Sequence, residues 1–341
     1  MKSVRFVSFL LSMATIAAVI ASEFSAQAQA QADGWLVEAQ QFNQPVTALR
    51  QVRGEVFVEA GGWHLATDCS DGICFDRRRP TNDQVARDGI PGGTIAIAAG
   101  RGITRAWFTE PTTRYDHGIL GDRIEGGGLT VIDDSGRRHS VILGPNLVFE
   151  DLTPRIADID NDGLNDVVVI RSSLFAGASV AVYSLSDGGL AELSATNPIG
   201  QPYRWLNIAG IADFDGEGTL DIALVRTPHI GGTLEFWTMR RGELVRLAAA
   251  SDFSNHAIGS PELDMSAIGD FDGDGTLDLA VPSADRVTLR IVSLAGSDIV
   301  ELASIAVGMP IVTAIAALCS EICSHLLLGR SDGSLIVIRP P

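Results

Sequence analysis

The chain is poor in basic residues and in long apolar runs. It has 25 Lys and Arg against 42 Asp and Glu, which gives a formal net charge of −17. Nucleic acids and anionic membrane surfaces bind clustered cationic side chains, so we expect neither as a partner. After residue 30 no apolar run is long enough to span a bilayer, so no membrane span is expected in that part.

The sequence also lacks catalytic fingerprints and helical periodicity. It contains no nucleophile elbow, P-loop, dinucleotide fingerprint or HExxH motif. After residue 33 the apolar residues form short runs between Gly-rich turns, without an amphipathic helix of useful length. This pattern predicts an all-β fold. The clearest predicted strands are 166–172, 179–185, 190–195, 221–227, 233–239 and 243–249.

One acidic pattern occurs in three copies. The copies read DIDNDGLND (158–166), DFDGEGTLD (213–221) and DFDGDGTLD (270–278), and an apolar stretch follows each. Acidic side chains occupy loop positions 1, 3, 5 and 9, and glycine at position 6 permits a sharp reversal. Hard cations take about six to eight oxygen ligands, which carboxylates at alternate positions supply. The pattern therefore predicts about three Ca²⁺ sites.

The predicted ligands are the four acidic side chains of each loop and the backbone carbonyl at position 7. They are Asp158, Asp160, Asp162, Leu164 and Asp166 in the first loop, Asp213, Asp215, Glu217, Thr219 and Asp221 in the second, and Asp270, Asp272, Asp274, Thr276 and Asp278 in the third. Four carboxylates within one short loop repel one another unless a cation neutralises them. Three polar turns without metal are the alternative.

Two other calcium-binding architectures do not fit these loops. An EF-hand needs a bidentate Glu at position 12 and flanking helices, whereas position 12 is Val169, Leu224 or Val281 in strand-like surroundings. No run matches the glycine-rich nonapeptide β-helix. The loops are therefore predicted to connect β-strands.

The spacing of the loops indicates a β-propeller. The loops begin at residues 158, 213 and 270, so they are 55 and 57 residues apart. A period near 50 residues with several short strands per unit predicts roughly six blades, with about five or seven as alternatives. We expect segments 46–51 and 54–60 to complete the last blade and close the ring, because an open blade leaves an unpaired edge.

Two degenerate copies of the repeat lie outside the acidic loops. Segment 313–328 aligns without gaps on 266–281, with cysteines where the metal loop would be. A fainter copy at 94–108 has the strand pattern without the acids.

The loops and their period resemble FG-GAP/VCBS-type repeats, which form the blades of integrin α-subunit propellers and occur in many bacterial surface proteins. The resemblance is clearest over 157–285 and degenerate over 92–156 and 311–341. It implies a single propeller domain over 31–341, with calcium in blade loops on one rim. It does not imply an enzyme.

The first thirty residues have the features of a signal peptide. Lys2 and Arg5 precede an apolar core at 6–21, and the small residues of 25–30 offer cleavage sites. An uncleaved membrane anchor is the alternative. We expect a periplasmic or secreted protein, without a membrane span after cleavage.

The four cysteines, Cys69, Cys74, Cys319 and Cys323, suggest two disulfides in an oxidising compartment. The local pairs Cys69–Cys74 and Cys319–Cys323 are favoured because sequence neighbours meet without any assumption about the ring. A cross-link between the N-terminal and last blades is the alternative. A zinc site is poorly matched by these spacings.

The longest polar stretch without a strand pattern is 108–128, and it is the candidate ligand site. Its candidate binding residues are Glu110, Arg114, Tyr115, His117 and Asp122. Trp205 beside Tyr203 is a candidate rim aromatic for a sugar, although the blade core is the more ordinary place for a Trp. We expect a monomeric, non-catalytic binding module for a protein or glycan. The alternative is a propeller enzyme, a hydrolase or lyase, acting on an extracellular polymer such as a polysaccharide.

Overall fold

The computed structural model describes residues 34–70, 72–80, 84–320 and 322–341. Throughout these ranges the regular structure is β-strand without α-helix, so the predicted all-β class is confirmed. No helix in the described ranges could cross a membrane. The predicted signal peptide lies outside the described residues.

The strands follow one another closely along the chain. In chain order they are β1 (Leu36–Gln40), β2 (Ala48–Val52), β3 (Glu55–Glu59), β4 (Trp63–Cys69), β5 (Gly72–Asp76), β6 (Ala96–Ile97), β7 (Ile103–Thr112), β8 (Glu125–Asp133), β9 (Arg138–Ile142), β10 (Leu147–Phe149), β11 (Arg155–Ala157), β12 (Asp166–Ser173), β13 (Gly177–Ser186), β14 (Gly189–Ala195), β15 (Leu206–Ala212), β16 (Asp221–Arg226), β17 (Thr233–Arg240), β18 (Glu243–Ser251), β19 (Ala267–Gly269), β20 (Asp278–Pro282), β21 (Thr288–Ala295), β22 (Asp298–Ala306), β23 (Ile311–Cys319), β24 (Cys323–Arg330) and β25 (Leu335–Arg339). The six strands predicted most clearly correspond to β12, β13, β14, β16, β17 and β18.

The described strands form several antiparallel sheets. Three four-stranded sheets run in chain order as β2 to β5, β15 to β18 and β19 to β22. A nine-stranded sheet contains two consecutive sets, β6 to β9 and β11 to β14, which β10 joins by pairing with both β8 and β12. The last sheet has the order β1-β25-β24-β23, so the first described strand pairs with the last strand of the chain.

The strand that completes the last sheet differs from the predicted one. Segments 46–51 and 54–60 instead contribute β2 and β3 to a separate sheet. The completing strand is β1, which pairs with β25 from Leu36 opposite Arg339 to Gln40 opposite Leu335. Four of the five β1 residues are exposed, so the segment LVEAQ carries little apolar alternation to mark it as a strand.

Apolar clusters fill the spaces between neighbouring sheets. Phe149 and Val169 lie between the sets β6–β9 and β11–β14. Val180 and Leu224 lie between β11–β14 and β15–β18. The inner strands, such as β12 and β16, are buried over successive residues, so they pack apolar side chains from both faces of the sheet against neighbouring sets. In the described chain such clusters join five pairs of consecutive strand sets, the last pair being β23–β25 with β2–β5.

The first strands of five sets line a common cavity of about 850 Å³. Residues of β2, β11, β15, β19 and β23 line it, together with Gly92 and Thr94 just before β6. Charged side chains of both signs, among them Arg155 and Glu262, lie in its wall. Strands of five sets therefore line one cavity, and the loops at the two ends of the strands form two rims.

Candidate metal centres

The three acidic loops lie at the same end of their sheets. They connect β11 to β12, β15 to β16 and β19 to β20, which in each case are the first and second strands of a set. β11, β15 and β19 all line the cavity and each is followed by its acidic loop, so we group these loops as one rim, which we call the acidic rim. Loops 113–124, 174–176, 196–205, 227–232, 252–266 and 283–287 leave the other ends of the strands and form what we call the connector rim.

The carboxylate at position 9 is fully buried in every loop. Its Oδ2 accepts a hydrogen bond from the backbone N–H of position 2, which closes the loop. The pairs are Asp166 with Ile159 at 3.1 Å, Asp221 with Phe214 at 3.2 Å and Asp278 with Phe271 at 3.0 Å. The other oxygen, Oδ1, has no hydrogen-bond partner in any of the three within the described structure. A buried acceptor without a donor is costly, so these atoms are the places where a cation would be most stabilising.

The carboxylate at position 1 is held by the glycine at position 6. Its Oδ2 accepts the backbone N–H of Gly163 at 2.9 Å, of Gly218 at 2.9 Å or of Gly275 at 3.0 Å. These glycines have φ values of +84°, +84° and +87°, a left-handed conformation that a Cβ disfavours. The loop can therefore turn its carboxylates inward only because glycine stands at this position.

One oxygen each from positions 1, 3 and 9 meets in every loop. The three sets are Asp158, Asp160 and Asp166, then Asp213, Asp215 and Asp221, then Asp270, Asp272 and Asp278, and the oxygens of each set lie within 4.8 Å of one another. A hard cation prefers such carboxylate oxygens, so the donor set fits Ca²⁺.

The acid at position 5 lies outside each of these groups. Asp162 and Asp274 instead accept the backbone N–H of position 7, at 2.8 and 2.7 Å. Glu217 is exposed at the corresponding place. The predicted carbonyl ligands belong to Leu164, Thr219 and Thr276, which are half-buried in the same loops. The structure thus brings together three of the four predicted acids in each loop.

The buried carboxylates are hard to ionise without a cation. Burial above all, together with the neighbouring loop carboxylates, raises the pKa of Asp166, Asp221 and Asp278 to about 6 in each case. A bound divalent ion would favour the charged form and remove the repulsion among the three oxygens.

Residues 158–224 match the family profile of the FG-GAP-like repeat. This segment contains an FG-GAP-like repeat. The matched FG-GAP-like segment begins at Asp158 and includes the first two acidic loops, which agrees with the resemblance read from the sequence.

Two solved structures are similar to this chain. Rhamnogalacturonan lyase YesW has 14% sequence identity and a TM-score of 0.47, over 87% of this chain and 60% of the lyase chain. The chain therefore spans less than two thirds of the lyase's length. BBS1N, from a complex with ARL6DN, has 11% identity and a TM-score of 0.41, over 90% of this chain and 95% of its own. No curated protein sequence matches the chain.

The cysteines form two local disulfides, Cys69–Cys74 and Cys319–Cys323, which are the pairs favoured from the sequence. The second disulfide joins β23 to β24 at the acidic rim, where an FG-GAP-like loop would stand. The backbone N–H of Cys323 donates to the carbonyl of Asp270 at 3.1 Å, so this hairpin packs directly on the third acidic loop.

The residues of segment 108–128 that were predicted to bind a ligand lie in different parts of the structure. Glu110 is exposed near the end of β7, and Asp122 is exposed and accepts the N–H of Ile124 at 2.8 Å. Arg114 donates from Nε to the carbonyl of Leu147 at 2.9 Å, which is a structural contact. Only Tyr115 and His117 join a larger side-chain cluster, and it lies on the connector rim.

His117 in this cluster is oriented by a buried acid. Its Nδ1 lies 2.5 Å from Oε1 of Glu150, whose other oxygen accepts a hydrogen bond from Ser172. Glu150 is completely buried, and burial raises its pKa while the hydrogen bond from His117 acts in the opposite direction. Trp205, which is 2% exposed and therefore core as expected, donates from Nε1 to the Glu150 carbonyl at 3.0 Å.

Two histidines that the sequence did not single out complete the cluster. His256 Nε2 lies 2.8 Å from the carbonyl of Ser260, and a carbonyl only accepts, so Nε2 carries the proton. His256 Nδ1 must then accept from His229 Nε2, 2.9 Å away. Burial lowers the pKa of His229 to about 3 and of His256 to about 4, so both are neutral. Twenty-seven residues separate them, and no sequence pattern marks the pair.

Proposed function

We propose that the protein is an exported, calcium-stabilised β-propeller of six blades that acts as a non-catalytic binding module. The blades are β2–β5, β6–β9, β11–β14, β15–β18, β19–β22 and β23–β25 with β1. Six strand sets around one cavity support this count, and the β1–β25 pairing supports closure of the ring by the N-terminal strand. One propeller domain would then comprise residues 31–341.

The observation that carries the calcium proposal is the unpartnered Oδ1 of Asp166, Asp221 and Asp278. The same buried atom is left without a donor three times, each time beside two further carboxylates. Calcium would neutralise these groups and fix the loops of the acidic rim. Isolated sites of this kind bind at about 10⁻⁴ to 10⁻³ M, the range of extracellular modules.

The test is calcium dependence of stability in wild type and in the triple variant Asp166→Asn, Asp221→Asn, Asp278→Asn. We expect Ca²⁺ to raise the wild-type Tm and EDTA to reverse the rise, with little response in the triple variant. Asp298→Asn, an exposed acid at the start of β22, is the matched control and should respond like wild type. If EDTA leaves the wild-type Tm unchanged and no calcium remains after dialysis against Ca²⁺, the calcium proposal is wrong.

Export is proposed from the two disulfides, since disulfides persist in oxidising compartments. It predicts that the mature protein, recovered from the periplasm or medium, begins after residue 28 or 30. N-terminal sequencing of that protein checks the cleavage site. Recovery of the intact N-terminus in the membrane fraction would favour the anchor instead.

A second candidate function is a hydrolase or lyase acting on an extracellular polymer. The observation in its favour is the Glu150–His117 pair, because a carboxylate that orients an imidazole is a common acid–base arrangement. Release of reducing ends or of unsaturated products from polysaccharides, lost in His117→Ala with an unchanged Tm, would support this function. A protein that binds without turnover would support the binding module.

A further inference from the structure

We infer that Tyr203 and His117 form a binding subsite on the connector rim for a ring of a neutral polysaccharide. This inference deepens the proposed binding function by naming its ligand, and it does not depend on the calcium sites at the opposite rim. Tyr203 supplies a flat platform and His117 supplies a free ring nitrogen for a hydrogen bond beside it.

The Tyr203 ring is backed on one side and open on the other. It stacks on Tyr115 with the ring centroids 5.1 Å apart and an interplanar angle of 15°. Tyr115 is buried, while Tyr203 remains 48% exposed. An exposed aromatic face that is already held parallel to a buried ring loses little conformational entropy when the apolar face of a sugar ring covers it.

The backbone also holds the platform in place. Tyr203 has a φ of +57°, which is uncommon for a residue with a side chain, and its N–H donates to Tyr115 Oη at 2.7 Å. Thr227 and Arg286 in neighbouring loops of this rim also have positive φ values, of +50° and +59°. Backbone strain of this kind concentrates at binding and catalytic sites, where the surrounding structure maintains it.

His117 presents its free nitrogen next to this platform. Its ring centroid lies 5.5 Å from that of Tyr203, and its side chain is 15% exposed. Nδ1 is engaged with the buried Glu150, and the remaining ring nitrogen, Nε2, has no hydrogen bond to any described residue. A sugar hydroxyl group both donates and accepts, so it can bond to such a nitrogen.

The loop that carries His117 is anchored on both sides. Ile119 and Leu120 are buried in the core that includes Trp205 and Leu263. The Ile119 carbonyl accepts the N–H of Gly259 from the β18–β19 connection at 2.9 Å. The His117 ring therefore keeps its position relative to Tyr203 before a ligand binds, which reduces the entropic cost of binding.

The negative net charge of the protein favours a neutral ligand over an acidic one. At a net charge of −17 the chain would repel an acidic polysaccharide at long range. The site itself offers an aromatic face and an unpartnered imidazole nitrogen, which suit a hydroxyl-rich ring.

The test is affinity electrophoresis in native gels cast with neutral polysaccharides, namely galactomannan, xylan, mixed-linkage β-glucan and hydroxyethylcellulose, with polygalacturonate as the acidic comparison. We expect at least one neutral polysaccharide to retard the calcium-loaded protein, and we expect polygalacturonate not to retard it.

Tyr203→Ala should weaken binding about tenfold or more, since an exposed aromatic anchor carries much of such a contact. Tyr203→Phe should bind nearly as wild type, and His117→Gln, which can still donate to Glu150, should bind more weakly.

Phe175→Ala is the matched control, because Phe175 is a 70% exposed aromatic residue of the same rim. It should bind as wild type. The inference is overturned if no neutral polysaccharide retards the protein, or if Tyr203→Ala is retarded normally. An equal loss in Phe175→Ala and Tyr203→Ala also overturns it, and would indicate a diffuse apolar surface for a protein partner. If the Tm depends on calcium but the protein binds no polysaccharide, the subsite is rejected and the calcium proposal still holds.

Discussion

At the scale of the residue, the ninth position of each acidic loop is distinguished by burial. Asp166, Asp221 and Asp278 end the loop and begin the next strand, so the sheet surrounds their carboxylates. The acids at position 5 lie on the exposed outside of the loop, where Asp162 and Asp274 bond to its backbone. Positions of equal charge in the sequence therefore differ in what they contribute to a bound ion.

This difference predicts unequal effects of two substitutions in the second loop. Asp221→Asn should lose most of that loop's calcium binding, whereas Glu217→Gln should lose much less, because Glu217 lies outside the converging group. Calcium titration calorimetry of both variants measures the number of sites and their affinities. Equal losses in the two variants would show that position 5 moves inward to bind the ion.

A second residue-scale prediction concerns Glu125, which is buried at the start of β8. Burial above all, together with the nearby Glu150, Asp122 and Asp151, raises its pKa to about 9. In the unfolded chain Glu125 loses its proton near its ordinary pKa of 4.5. In the folded protein it keeps the proton until about pH 9. The contribution of Glu125 to stability is therefore full below pH 4.5 and is lost progressively as the pH rises toward 9.

Glu125→Gln removes this ionisation and keeps the shape of the side chain. The variant should melt above wild type at pH 8, by about 2 °C or more, and the difference should vanish near pH 4.5. Thermal melts across that pH range measure it. Glu243→Gln, at an exposed position, is the control. A variant that is less stable than wild type at pH 8 would contradict the assignment.

At the scale of the element, the first two strands of a set are connected by an acidic loop in three sets and by a disulfide-bonded hairpin, Cys319–Cys323, in the last. The hairpin packs on the third acidic loop through Gly269, where an added Cβ would lie 2.0 Å from Cys323 Sγ. The disulfide thus supports a neighbouring loop as well as its own turn.

Gly269→Ala is therefore expected to destabilise the protein by about 1–3 kcal/mol, the usual cost of overpacking a filled site. Gly144→Ala is the matched control, because Gly144 has open space around its Cα and an ordinary φ. Urea unfolding of both variants gives the comparison. The packing argument would be wrong if both substitutions had the same small effect.

At the scale of the whole molecule, the pairing of β1 with β25 connects the two ends of the described chain. The residues of β25 are almost all buried, whereas those of β1 are mostly exposed. β1 therefore adds little core and mainly covers the hydrogen-bonding edge of β25, which would otherwise be free to pair with another chain.

Removing residues 34–40 tests this role. We expect the shortened protein to fold, to melt several degrees lower, and to self-associate at high concentration through β25. Light scattering and thermal melts measure the two effects. Three polar substitutions, Leu36→Thr, Val37→Thr and Ala39→Ser, keep the backbone pairing and should remain monomeric. A shortened protein with wild-type Tm and mass would show that β1 does not matter for closure.

The β class, the repeat and the acidic loops could all be predicted from the order of the residues. These features depend on local properties: apolar alternation sets the strands, glycine sets the turn, and carboxylates at alternate positions define the metal loop. The two disulfides were also predictable because each joins near neighbours in sequence.

The folded arrangement was needed to show which strand completes the last sheet, which acids converge, and what His117 contacts. β1 pairs with β25, at the opposite end of the described chain. His117, Glu150, Tyr203, His229 and His256 come from separate loops that meet only because the sheets that carry these loops pack side by side. Such contacts depend on the positions of whole sheets, and no local pattern of residues encodes them.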